Sequence, residues 1–282
     1  MTRFRITLCN EVIGAMSFAQ QCAFAAATGY DGLEIAPFTL SDDPATLTSS
    51  QRAEYRRAAE REGIAITGLH WLLNVPAGLS LTSDDPEIHR RTGEHMLAMV
   101  DLCADLGGTI IVHGSPKQRP LADAQSVDRA RKNAVRLLRL AARRAETVGV
   151  TYCIEPLSPA LTDFVTSVRE ALDLVEEVGA PAFATMIDTL AAWGGEDEEP
   201  EALIRRYMPA GHICHIHLND DNARAPGQGQ RRFAPVLKAL IEMGYEGTIG
   251  VEPFDYHPDG PTAAARAIGY LRGIVETLEY RP

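Results

Sequence analysis

Four residues of this 282-residue chain close short β-type runs, and together they form a donor set for a divalent cation. Glu155 closes Val150–Glu155, Asp188 closes Phe183–Asp188, His217 closes Ile213–His217, and Glu252 closes Thr248–Glu252. They are spaced 33, 29 and 35 residues apart. Each interval is about one strand, one helix and two loops, and a βα unit needs roughly 30 residues or more. If consecutive strands are parallel neighbours, the four side chains emerge side by side at one end of a sheet. Three carboxylates and an imidazole gathered there repel or titrate oddly unless a cation sits among them. The mixed oxygen and nitrogen set, with no thiolate, suits Mn²⁺, Mg²⁺ or Co²⁺. His215 shares the face of His217, because strand side chains alternate. His217 is the nearer of the two to the polar, Gly-rich loop that follows.

The elements that must position these residues are legible as a repeat. Gly29, Gly63, Gly107, Gly149, Gly179, Gly211 and Gly244 each follow a helical segment and precede a β-type run. Helices often stop at a glycine, which takes the left-handed conformation without a Cβ clash. Seven such junctions imply eight strands, the first four being Phe4–Cys9, Gly32–Ile35, Ile64–His70 and Thr109–His113. Ala124–Val148 carries an apolar stripe at Val127, Ala130, Ala134, Leu137, Leu138, Ala141, Ala145 and Val148, with Arg129, Arg136, Arg139, Arg143 and Arg144 off it. A last helix spans about Thr262–Leu278. Eight alternating units predict a single (β/α)₈ TIM-barrel domain over residues 1–282, with its active site at the C-terminal ends of the strands. A doubly wound sheet is the alternative, but the first βα turn has no G-x-G-x-x-G. The long loops Pro37–Leu47, Asn74–Pro86 and Gly114–Leu121 fall on the same face as the four donors. Gly194–Pro200 reads as an exposed acidic loop leading into a helix.

Bulk properties exclude several classes. A net charge of −11 disfavours nucleic acid and anionic membranes as partners. Five widely spaced cysteines lack C-x-x-C spacing and read as buried free thiols of a cytoplasmic protein. The basic start Met1-Thr2-Arg3 leads into an apolar run that Asn10 and Glu11 end too early for a signal peptide. No run approaches the roughly 20 apolar residues of a membrane span.

Ile154-Glu155-Pro156, Ile187-Asp188-Thr189, His215-Ile216-His217 with Asn222, Arg224 and Pro226-Gly227-x-Gly229, and Val251-Glu252-Pro253 form a recognisable set. Together they resemble the sugar isomerase/epimerase branch of the xylose-isomerase-like TIM barrels, which includes ketose 3-epimerases and inosose isomerases and dehydratases. The resemblance implies one divalent ion per chain, Mn²⁺ first and Mg²⁺ or Co²⁺ as alternatives, held by Glu155, Asp188, His217 and Glu252. It implies Glu155 and Glu252 as acid and base, Arg224 as a substrate contact, and His70 and His113 as pocket histidines. By analogy it also implies a homodimer or tetramer. Glu34, ending the second strand, is a further pocket candidate, and Trp71 or Trp193 would supply an aromatic wall. Two positions depart from the epimerase pattern: Ala191 stands where a substrate-binding His is found, and Leu161 where a Glu is found. Lys117 and Arg119 are then candidates to grip an anionic substrate.

The chemistry follows from the residues themselves. A cation bound to a ketone oxygen and the neighbouring hydroxyl stabilises an enediolate. Two carboxylates can take a proton from one face and return one to the other. The expected function is a metal-dependent isomerase or epimerase of a keto-sugar or cyclitol. The alternative is a dehydratase or decarboxylase using the same metal site. A DNA-repair nuclease of the endonuclease IV type would need further ligands that Ala191 and the Gly229–Arg231 loop do not supply. A sugar-binding barrel without catalysis would not need the full donor set.

Overall fold

The computed structural model describes residues 4–280; Met1, Thr2, Arg3, Arg281 and Pro282 lie outside them. Eight parallel strands close in sequence order into a barrel. They are β1 (Arg5–Cys9), β2 (Gly32–Ile35), β3 (Ala65–Leu69), β4 (Ile110–His113), β5 (Thr151–Ile154), β6 (Phe183–Asp188), β7 (Ile213–Leu218) and β8 (Thr248–Val251). Each matches an expected run to within two residues at either end. The helices alternating with them are α1 (Phe18–Thr28), α2 (Ser49–Arg61), α3 (Pro86–Leu106), α4 (Val127–Val148), α5 (Val168–Val178), α6 (Thr189–Gly195), α7 (Pro200–Tyr207), α8 (Ala234–Glu242) and α9 (Gly260–Glu279).

Local signals explain the boundaries. Ser126 and Ser167 cap α4 and α5 by accepting from the backbone amides of Arg129 and Glu170. All seven junction glycines have positive φ. At Gly149, φ 73° ends α4 and turns the chain into β5. The α4 stripe is buried at Ala130, Ala134, Leu137, Leu138, Ala141 and Ala145. Val127, the first helical residue, is the exception and is 63% exposed. The acidic loop is shorter than expected: Gly194 and Gly195 belong to α6, and residues 196–199 alone join it to α7. The five cysteines are free; Cys214 is half-buried and the others are buried.

The barrel interior is polar where it meets the four donors. In the β7–β8 register, His217 lies opposite Gly250. A Cβ built on Gly250 would come within 2.7 Å of His217 Cδ2 and 2.9 Å of Glu34 Oε2. The absent side chain thus leaves the room that the imidazole and the carboxylate fill. Gly250→Ala is predicted to overpack this space at a cost of ~1–3 kcal/mol. With Tm shifting by ~2–4 °C per kcal/mol in chains of this order of size, thermal unfolding should move down by several degrees. Gly273→Ala in α9, where a Cβ meets nothing within 4 Å, is the control and should hold or raise Tm. Equal melting of Gly250→Ala and wild type would contradict this packing.

Candidate metal centre and active site

Glu155, Asp188, His217 and Glu252 converge at the C-terminal mouth of the barrel. All four are buried, and one ligand atom from each lies within 4.8 Å of the others. Each is held from behind. Asp188 caps α6 by accepting from Ala191 N at 2.6 Å, and its other oxygen accepts from Asn219 Nδ2 at 2.9 Å. Asn219 Nδ2 also donates to the Glu252 carbonyl at 3.1 Å. His217 Nε2 faces Glu34 Oε1 at 3.1 Å, which leaves Nδ1 towards the carboxylates. Nδ1 lies 2.8 Å from Glu252 Oε2 and 3.9 Å from Glu155 Oε1, yet is aligned with neither as a hydrogen bond. A buried imidazole nitrogen in close contact with one carboxylate and facing two more fits a divalent cation. The Glu34–His217 contact has the carboxylate–histidine form that orients metal-binding imidazoles. His215 is fully engaged, with Nε2 2.9 Å from Glu34 and Nδ1 3.0 Å from Thr248 Oγ1. Of the two histidines, His217 is the one that turns a ring nitrogen towards the three carboxylates.

Two other groupings come close enough to hold an ion: Cys9, Glu11, His70 and Glu252, and Cys9, Glu34 and His217. Both include the Cys9 thiol, and the second needs it to reach three ligands. Burial and the surrounding glutamates push that thiol well up, so it keeps its proton. The all-oxygen and imidazole set is the better site.

Charge crowding shows in the titration of the groups. Burial first and Glu252 second raise Glu155 to about 8, and the same two causes raise Asp188 to about 6. Burial opposes charge on His217, but Glu252 and Glu34 outweigh it and raise its pKa well above the ordinary value. Burial likewise opposes charge on Glu34, but His215 and His217 hold its carboxyl well below the usual range. Burial opposes charge on His70 too, and Glu11, 2.9 Å from its Nε2, outweighs it and raises His70 to about 9. Glu11 and Asn219 went unnoticed as site residues, though signals were present. Glu11 is an acid two residues past the end of β1, and Asn219 lies two residues beyond His217, on the same face.

The other expected residues divide by position. A cavity of about 300 Å³ opens above the cluster, and His70, Trp71, Glu155 and Glu252 line it. Glu34, His113, Lys117, Arg119, Arg224 and Trp193 do not. Glu34 is corrected from a pocket residue to the inner support of His215 and His217. His113 is buried against Tyr152, 2.8 Å from its Oη, and burial, reinforced by Arg119, lowers it to about 3, which leaves it neutral. Arg119 is not a surface grip: it is fully buried, and Nη1 donates to the Glu155 carbonyl at 2.8 Å. Burial lowers its pKa to about 10, so it remains a cation beneath the site. Lys117 is exposed on a short 3₁₀ turn. Arg224 is held at the mouth by Asp255, 2.7 Å away, next to the lining residue Ala223. Trp193 donates to Glu199 and stacks under Arg231.

The xylose isomerase-like TIM barrel family matches residues 22–274 of the chain. A D-psicose 3-epimerase of Enterocloster bolteae is 29% identical over 234 residues, covering 81% of this chain and 74% of that protein. In fold, the chain superposes on a D-psicose 3-epimerase crystallised with D-tagatose from Clostridium cellulolyticum H10, with TM-score 0.83 and 20% identity. That match covers 96% of this chain and 99% of the other. It also superposes on a 3-keto-D-glucoside 4-epimerase from E. coli, with TM-score 0.82 and 18% identity, over 96% and 99% of the two chains.

Cation binding should release protons. With Glu155 near 8 and Asp188 near 6, both are largely protonated below pH 6 and neither is above pH 8. A cation must displace those protons and the one on His217 Nδ1, so affinity for Mn²⁺ should climb from pH 6 to 8. Calorimetry in buffers of different ionisation enthalpy should find net proton release at pH 7, from the carboxyl groups and from His217 Nδ1. Affinity that is flat across this window would contradict the assignment. Glu34→Gln should weaken Mn²⁺ by ~10–100-fold, while His217→Ala should abolish stoichiometric binding. Tight Mn²⁺ binding by His217→Ala would reject the donor set.

Proposed function

The chain belongs to the xylose isomerase-like TIM barrel family, and we propose on that footing that it is a divalent-metal-dependent epimerase or isomerase of a keto-sugar or cyclitol. The observation that carries the reading is His217 Nδ1 facing three buried carboxylates, two of which also line a small-molecule cavity. The D-psicose 3-epimerase of Enterocloster bolteae, as a relative, favours epimerisation over the dehydratase or decarboxylase alternative.

Glu155, Asp188, His217 and Glu252 would hold the ion, which when bound supplies Lewis-acid stabilisation of negative charge on substrate oxygens. The chain's own residues do the rest. Glu155 and Glu252 line the cavity floor, and one removes the proton beside the ketone while the other returns it. Return to the opposite face inverts that carbon; return to the neighbouring carbon isomerises the sugar. His70, protonated and held by Glu11, keeps a positive charge 3.8 Å from Glu252 Oε1. Arg119 fixes the main chain at Glu155 and keeps a second buried cation nearby. Asp188 and His217 do not line the cavity, so their part is to hold the ion.

Protein loaded with Mn²⁺ should equilibrate ketoses with their C3 epimers. In D₂O it should place deuterium at the inverted carbon, and EDTA should stop both processes. Glu155→Gln and Glu252→Gln should each lower kcat by ~10²–10⁴-fold, provided that elemental analysis shows the metal retained. Undiminished turnover in either metal-loaded variant, or in the EDTA-treated wild type, would remove the proposed mechanism.

A further inference from the structure

The cavity changes character along its length. Its inner end is formed by Glu155, Glu252 and His70, and past them the wall is Trp71, Pro116, Leu157, Leu161, Leu190 and Phe254. Trp71 and Phe254 meet edge to face, with ring centroids 6.3 Å apart. Phe254 is 44% exposed and Leu161 is 56% exposed, two of only a few large apolar side chains left open to water among the described residues. Bulky apolar side chains held open at a concave mouth mark ligand contact.

The polar groups near this wall are already engaged. Ser115 Oγ accepts from Leu73 N at 3.1 Å, Arg224 pairs with Asp255, and Trp193 Nε1 donates to Glu199. No lysine or arginine lines the cavity. A sugar hydroxyl pressed against the outer wall therefore loses water without gaining a partner, which costs binding. A methyl group there gains contact instead.

Resting on the epimerase reading, we propose that the substrate is a terminally deoxygenated keto-sugar. Its ketone and adjacent hydroxyl face Glu155 and Glu252, and its methyl end packs on Leu157, Leu161, Leu190 and Phe254. A terminal phosphate has no cationic partner at that end. Contact with this wall acts alike on bound substrate and transition state, so the preference falls in KM. An apolar wall rejects an added hydroxyl by ~10²-fold at most, so the expected preference is ~10–100-fold.

The test compares 6-deoxy-L-fructose with L-fructose, and 6-deoxy-D-fructose with D-fructose, with D-fructose 6-phosphate as a fifth ligand. Mn²⁺-loaded wild type is assayed for kcat/KM by NMR and for Kd by calorimetry. In at least one pair the deoxy sugar should be favoured by ~10–100-fold, in KM and Kd rather than kcat. Leu161→Gln, with metal content unchanged, should bring that ratio towards one. Tighter binding of a deoxy sugar without turnover would uphold the apolar-terminus assignment and remove the epimerase reading. Equal or better binding of the parent ketoses or the phosphate, an unchanged ratio in Leu161→Gln, or no binding of any of the five would overturn the proposal.

Discussion

Mutual repulsion of carboxylates in a space that excludes water is the constraint on which the rest of this structure depends. Two like charges about 4 Å apart repel by about 4 kcal/mol at an effective dielectric of ~20. Glu155, Asp188 and Glu252 crowd within that range at the barrel mouth, with Glu34 below them. The fold answers this charge with cations of its own. His217 stands against Glu34, His70 is held between Glu11, Glu34 and Glu252, and Arg119 sits under Glu155. The remaining imbalance is centred on the three carboxylates around His217 Nδ1. A divalent ion there reverses the effect of each neighbour on the others' pKa.

The barrel makes that crowding affordable by fixing each group from more than one side. Asp188 is a helix cap, a partner of Asn219 and a member of the donor set at once. Gly250 gives up its side chain so that His217 and Glu34 can meet, and the glycine at position 114 does the same beside Glu155. These contacts come from different strands, so the geometry is a property of the closed sheet and not of any one loop. The apolar outer wall is carried by loops, so the grip on the substrate can vary while the charged floor stays as it is.

The periodic and local parts of this design were legible in the sequence. Strand-ending acids at βα spacing, glycine stops and one amphipathic stripe gave the barrel and its four converging residues. The lateral parts were not legible. Glu34 meets His215 and His217 across 181 and 183 residues of chain, a pairing that no window of sequence displays. Lys117 and Arg119 looked alike as loop cations, yet one faces water and the other is buried under the site, because the 3₁₀ turn that carries Lys117 ends before Arg119. His113 ends β4 and His70 directly follows β3, but His113 packs against Tyr152 while His70 meets Glu11. Strand-end position predicts which end of the barrel a side chain occupies. It does not predict whether that side chain faces the cavity or the packed wall beside it.

The account turns on where a cation sits. The most direct measurement is anomalous scattering at the manganese absorption edge from crystals of the full chain grown or soaked with Mn²⁺. The account predicts one strong peak per chain, bonded to Glu155, Asp188, Glu252 and Nδ1 of His217, with Glu34 still on Nε2. A peak at Cys9, Glu11 and His70 instead, bonding through His215, or no ordered peak at full Mn²⁺ loading would contradict it.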